Sequence, residues 1–226
     1  MKNLVCLVVL LFVCKAISAQ DERITQNLQP FSELKAFDGL SINLIQSTEN
    51  KAVITGVNTN NVVIVNNEGV LKIRMKITKI FSGYRTFIDL YYSDKLVVID
   101  VNEDARISSK KAISQDVLEL KAQEGGELEI NADVEQLLIK AVTGGIIKSS
   151  GTCDLQDVVI NTGGIYEGKN LLTKFSTINV NAGSKAEIHA TDYVKASVKA
   201  GGEVLVYGNP KKMDEKTVFG GIIKRM

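Results

Sequence analysis

The sequence predicts an all-β chain whose larger part is a parallel β-solenoid. Three observations carry that reading. A glycine pair recurs at Gly125-Gly126, Gly144-Gly145, Gly163-Gly164, Gly201-Gly202 and Gly220-Gly221, with Gly183-Ser184 as a variant, in steps of 19, 19, 20, 18 and 19 residues. A fixed period near twenty marks a stacked-repeat architecture. Aligned on these pairs, similar residues form columns. Three before the first glycine stand Ala122, Ala141, Ile160, Val180, Val198 and Thr217, and five before stand Leu120, Ile139, Val158, Ile178, Ala196 and Glu215. Finally, the intervening position is mostly polar (Lys121, Lys140, Val159, Asn179, Ser197, Lys216), which is the two-residue period of a strand with one buried face.

Beyond each pair the alternation resumes. Leu128, Ile147, Tyr166, Ala186, Val204 and Ile223 are followed by Glu129, Lys148, Glu167, Glu187, Leu205 and Lys224. The glycine pair therefore joins two short strands at a tight corner. Less regular segments, such as residues 131–136 and 190–193, are expected to close each unit. Nineteen residues are too few for a helical crossover but enough for one coil. Successive coils would pair in parallel about 4.8 Å apart, stacking like positions. An antiparallel meander with Gly-Gly hairpins explains the corner but not the match of residues one whole repeat apart. The expectation is about six glycine-cornered coils, right-handed by the general crossover preference, preceded by an N-terminal strand-rich region.

In chain order, residues 1–19 read as a secretory signal peptide. Lys2 provides the positive start, residues 4–13 the apolar core, and Ile17-Ser18-Ala19 a small-residue cleavage site. Cys14 raises a lipoprotein alternative in a poor sequence context. No later apolar run is long enough to span a membrane. Without the leader, Cys153 is the sole cysteine, so no internal disulfide can form. Lys2 and Lys15 leave with it, and the net charge of +1 falls to about −1. That balance argues against nucleic acid or an anionic membrane as the main partner.

Residues 20–30 are a polar lead-in to a single domain spanning 31–226. In its N-terminal part (31–92), residues 40–44, 52–55, 62–65, 71–77 and 86–92 read as strands. Asn66-Asn67-Glu68-Gly69 forms a hairpin turn. Repeat coils occupy 93–226. Residues 96–101 and Ala105-Arg106-Ile107 form a degenerate first coil cornered by Glu103-Asp104. No segment has convincing helical periodicity.

The run Phe37-Asp38-Gly39-Leu40-Ser41-Ile42-Asn43-Leu44, then Val53-Ile54-Thr55-Gly56, then Gly69-Val70-Leu71-Lys72-Ile73, resembles the opening of the head GIN domain family of auto-transporter adhesins, common in exported Bacteroidetes proteins. The glycine-marked repeats resemble that family's second half. The resemblance covers residues 31–226 and implies an exported adhesion module. It brings no binding residues that map onto this chain. No anchor or dedicated secretion domain is recognisable after the repeats.

Candidate chemistry is sparse. Glu167 and Glu187 should be neighbours in the charged column, able to bind Ca²⁺ or to act as an acid and nucleophile pair, or simply to lie on a solvated face. Asp100-Val101-Asn102-Glu103-Asp104 begins like a calcium loop, but Ala105 and Lys111 stand where that loop needs glycine and glutamate. His189 is the only histidine and is expected to face outward. Of Tyr91 and Tyr92, adjacent on a strand, one should be core. Cys153 reads as a small buried residue or a reactive thiol. No catalytic, metal or cofactor site is expected. The expectation is a non-enzymatic, exported envelope module presenting sheet faces to a glycan or protein. The alternatives are a polysaccharide-acting enzyme and a structural envelope protein pairing through its C-terminal coil, residues 222–226.

Overall fold

The computed structural model describes residues 23–226; the expected signal peptide lies outside them. Sixteen strands are joined in one sheet system. The first seven are β1 (Ile24–Asn27), β2 (Glu33–Ala36), β3 (Ser41–Gln46), β4 (Lys51–Gly56), β5 (Val62–Asn67), β6 (Val70–Met75) and β7 (Thr86–Tyr92). Then come β8 (Val98–Val101), β9 (Arg106–Ala122), β10 (Glu127–Ala141), β11 (Ile146–Ile160), β12 (Ile165–Val180) and β13 (Lys185–Lys199). The chain closes with β14 (Glu203–Tyr207), β15 (Lys212–Val218) and β16 (Ile222–Arg225). The only helical elements among the described residues are two 3₁₀ turns, Thr59–Asn61 and Ile77–Lys79.

The repeat columns are the strand register. Leu128 pairs with Ile147, Ile147 with Tyr166, Tyr166 with Ala186, Ala186 with Val204 and Val204 with Ile223, all in parallel. The meander is thereby excluded, and the chain is a β-solenoid of about seven turns. The expected irregular return segments are strand instead: residues 131–134 and 136 of β10 pair with β11. Their Asn, Asp, Glu and Gln side chains have weak β-propensity, but stacked coils supply a hydrogen-bonding partner on both sides. Where the alternation slips, as at Glu135-Gln136 and at Lys169-Asn170, consecutive residues face outward and the strand bends.

At the glycine corners the two glycines do different work. The left-handed pair is the residue before plus the first glycine: Thr143 has φ 49° and Gly144 φ 73°. Gly145 N–H donates to Val142 C=O (2.9 Å), which closes a four-residue turn with two positive-φ central residues. Gly145 itself is needed for space, since a Cβ there would stand 2.2 Å from the Ala122 carbonyl oxygen of the neighbouring coil. The turns also bond to one another: Gly125 N–H to Thr143 C=O, Gly144 to Thr162, Gly163 to Ala182 and Gly183 to Ala200.

This ridge of corners starts earlier than the repeats suggest. Glu103-Asp104 (φ 52° and 57°) is the corner expected of the degenerate first coil, and Asp38-Gly39 (φ 64° and 74°), which was not expected, has the same conformation, its Gly39 N–H donating to Glu103 C=O. Strands β2 and β3 stack on β8 and β9 as a full coil. On its other side, β6 pairs with β2 and β7 with β3, so a later stretch of sequence forms a level outside an earlier one. There the corner is not a tight turn but the loop 76–85. Antiparallel β4 on β7, β5 on β6, and β1 on β4 cover this end. Four residues of the polar lead-in thus form β1, and the β5–β6 hairpin turns at Glu68-Gly69 as expected.

Strand β6 stops at Met75, short of the expected end at Ile77. Met75 N–H is taken by the Asp38 carboxylate (2.9 Å) in place of a β2 carbonyl, and one last bond of the β5 register, Lys76 N–H to Asn61 C=O (2.8 Å), precedes the loop. Ile77 is 77% exposed.

The interior is an apolar column of Leu, Ile, Val and Ala interrupted by a few buried serines and by one polar network. The Tyr166 hydroxyl donates to Gln156 Oε1 (3.2 Å), and Gln156 Nε2 donates to Thr173 Oγ1 (3.0 Å) and Ser176 Oγ (2.8 Å). All four residues are buried, and desolvation drives the Tyr166 phenol pKa far upward. The His189 carbonyl of the next coil closes the network, accepting from Thr173 Oγ1 and Gln156 Nε2 (3.4 Å), and the buried cluster offers no access from outside.

Candidate functional site

The outward residues of the strands that follow each corner form one polar face. Along it Asp89, Asn43, Ser108, Glu129, Lys148, Glu167, Glu187 and Leu205 are paired each to the next. The sequence expectation that Glu167 and Glu187 are register neighbours therefore holds. Strand alternation alone sends every one of these side chains out of the core.

Three depressions, of about 530, 510 and 220 Å³, follow one another on this face. The first two share Ser108, Lys110 and Glu129, and the last two share Glu167 and Lys169, so they form one shallow groove. It crosses eight strands from β7 to β14, or about 34 Å at about 4.8 Å per strand. Its walls carry Asn43, Asn131 and Asn170, several serines, and charges of both signs in near balance. Phe87, 51% exposed, supplies an aromatic face at the β7 end.

The charges are mutually engaged. Glu127 bridges Lys148 Nζ (2.8 Å) and Arg106 Nε (3.4 Å). The hydrogen bond from Lys148 to Glu127 raises the lysine pKa, with smaller contributions from Glu167 and Glu129. Lys169 Nζ lies 3.7 Å from Glu187, and Asn43 Nδ2 donates to Asp89 (2.9 Å). Glu167 and Glu187 thus have lysines beside them rather than a shared empty cradle. Among the described residues no three His, Cys, Asp or Glu side chains converge on one point.

The remaining candidates have structural roles. Asp100 is buried, with Lys35 Nζ at 3.4 Å and the Asn102 amide donating to it, while Asp104 accepts from the Tyr84 hydroxyl (2.8 Å). The would-be calcium loop is instead a solenoid corner. Tyr92 is core and Tyr91 faces out, with Lys51 Nζ 4.9 Å from its ring centroid. His189 faces outward and is half-buried against Gly208. Cys153 is buried, and desolvation pushes its thiol up to about 11, which keeps it protonated at neutral pH.

The family described as putative auto-transporter adhesin, head GIN domain, matches residues 30–210. The chain belongs to this family. Among solved structures, a putative adhesin from Bacteroides fragilis is similar with a TM-score of 0.82 at 18% identity, over 92% of this chain and 98% of that one. A putative adhesin from Parabacteroides distasonis gives 0.73 at 17%, and a putative lipid binding protein from the same species 0.69 at 16%, each over 92% and 98% of the two chains. At such identities the likeness is one of fold. No curated protein matches this sequence. Family membership supports an adhesion-like role and an exported or surface protein. No helix among the described residues is long and apolar enough to cross a membrane.

What the sequence missed is the groove's continuity. Its column was visible, but its extension through Ser108 and Asn43 to Asp89 was not, because those residues precede the periodic part.

Proposed function

We propose that this head GIN protein is an exported adhesion module that holds an extended, largely uncharged glycan along the axial groove, without turning it over. The observation that carries the reading is the groove itself. It is long and shallow, lined by amides, hydroxyls and balanced charges, with an aromatic face at one end. Such a surface offers paired donors and acceptors to a polyhydroxylated chain. Its near-zero net charge gives no long-range attraction to a polyanion.

A protein partner would use the same face, but the groove offers it no large apolar anchor near its middle. The acid-pair alternative is disfavoured by direction. In a glycosidase the two carboxyl groups flank the scissile bond. Glu167 and Glu187 stand side by side on one open face, so a ligand meets both from the same side.

The test is a glycan array with the purified protein and a Lys148→Ala/Glu167→Gln variant. Selective binding of neutral oligosaccharides, lost in the variant while its melting temperature is unchanged, is the expected result. Binding that ignores the variant removes the groove from the reading. Release of new reducing ends, abolished by Glu167→Gln or Glu187→Gln, replaces it with an enzyme. Protease shaving of intact cells checks exposure: a protein protected until the outer membrane is opened excludes direct adhesion.

A further inference from the structure

We propose that the 76–85 loop is a docking tip for an anionic lipid surface. The loop stands where every other level of the solenoid ridge has a tight turn. Its sequence, Lys76-Ile77-Thr78-Lys79-Ile80-Phe81-Ser82-Gly83-Tyr84-Arg85, has three bases and no acid. Ile77 is 77% exposed, Ile80 55% and Phe81 51%, the densest set of outward apolar side chains in the described chain. Scattered exposed apolar residues are ordinary, but a cluster of them in one loop marks an interaction site.

The tip is built, not slack. The buried Asp38 carboxylate accepts from Met75 N–H (2.9 Å) and Phe81 N–H (3.2 Å), one at each side of the loop. Gly83 N–H donates to Asp38 C=O (3.0 Å), and a Cβ at Gly83 would stand 2.4 Å from that oxygen. Asn58 Nδ2 donates to Ser82 C=O (3.2 Å). The Tyr84 ring lies over Gly39, with its hydroxyl on Asp104. Phe81 itself is held at φ 56°, a conformation a bulky residue resists. A buried carboxylate and a strained backbone together keep an aromatic side chain in solvent. Positive φ is shared with the tight corners, Phe219 at 52° among them, so what sets this loop apart is the buried carboxylate together with its bases and outward apolar side chains.

The occupant follows from apolar exposure and charge. Three outward apolar side chains and three bases lie within ten residues, which suits a layer that apolar side chains can enter beneath anionic groups. Ile and Phe insert at the headgroup–acyl boundary while Lys76, Lys79 and Arg85 meet anionic headgroups. Asp104, which holds the Tyr84 hydroxyl at the loop's edge, and Glu103 and Glu124 beside it oppose an anionic surface. The balanced overall charge does not preclude this local contact, because attraction acts within about 8 Å at physiological salt. Contact is therefore confined to this loop, and the groove, which begins at Phe87 and Asp89 on the strand that follows it, is left to its own ligand.

The experiment is flotation of the purified protein with phosphatidylcholine vesicles, with and without phosphatidylglycerol, at physiological salt. The protein should float with the mixed vesicles and not with phosphatidylcholine alone. Phe81→Ser/Ile77→Ser and Lys79→Glu/Arg85→Glu should each weaken binding by about tenfold or more. Every one of these side chains is exposed, so melting temperatures should hold. The sequence has no tryptophan. The substitution Phe81→Trp therefore introduces a single fluorescent reporter, and its emission should shift to the blue on adding mixed vesicles. No flotation, flotation equal on both vesicle types or indifferent to the variants, or an unshifted emission from the Phe81→Trp variant overturns the proposal.

Discussion

The turn at Thr143-Gly144 and the loop 76–85 stand on the same ridge and close the same kind of coil, one in a few residues, the other in ten. The short turn has only what closure requires: two left-handed residues, one internal hydrogen bond, and a glycine that lets the next coil approach. The long loop needs a carboxylate buried to 3% exposure and a phenylalanine at positive φ to hold its shape. Closure does not explain the buried carboxylate, since the glycine corners do without one, whereas positive φ is shared along the ridge, with Phe219 at 52° in the last corner. The comparison separates what makes the solenoid from what the solenoid carries.

The largest break should come at the short turn. Gly145→Ala puts a Cβ 2.2 Å from the Ala122 carbonyl, and that atom is backbone fixed by the sheet. A loss of at least about 3 kcal/mol is expected by overpacking, measured by urea denaturation. Its neighbour provides the contrast. A Cβ at Gly144 meets nothing within 4 Å, so Gly144→Ala should cost only the left-handed penalty, about 1 kcal/mol. Equal losses at the two positions would mean the glycines share one role.

The long loop should break next. Asp38→Ala strips the acceptor from two N–H groups, one of them on fully buried Met75, at about 1–3 kcal/mol each. Asp38→Asn tolerates the left-handed backbone and keeps one acceptor, so about half the loss should return. Hydrogen exchange supplies the location: protection should fall in residues 75–86 and persist in β10 to β13. A uniform fall would place Asp38 in the general core and remove its special link to the loop.

How much of this was legible follows from which forces act locally. The columns of β9 to β14 were readable because stacked coils repeat one local environment. The polar network was readable in principle: seven before the first glycine stand Leu118, Leu137, Gln156, Ser176 and Val194, and the two polar members interrupt an apolar column. Asp38-Gly39 also carries the corner signature. What sequence could not show is that β6 and β7 return to stack outside β2 and β3, since that order is set by pairing across the sheet and not by any residue within the loop. The 71–77 alternation misled for the same reason: Asp38, thirty-seven residues away from Met75, ends the strand. On the candidate site, the acid column and Lys148 within it were visible and Lys169 was not, because it reaches Glu187 from the previous coil.

The smallest effect tests the comparison most sharply, because stability and function should move in opposite directions. Asn accepts the left-handed conformation more readily than Phe. Phe81 is half exposed, so Phe81→Asn gives up little buried apolar contact. Relief of the φ 56° strain should therefore raise stability by about 0.5–1 kcal/mol, read as a higher urea midpoint at unchanged slope. The same variant should bind mixed vesicles poorly. A turn that existed only to close the coil would improve with such a change and lose nothing. A variant less stable than the parent would show that Phe81 packs as part of the fold, and the ridge would then have one kind of corner, not two.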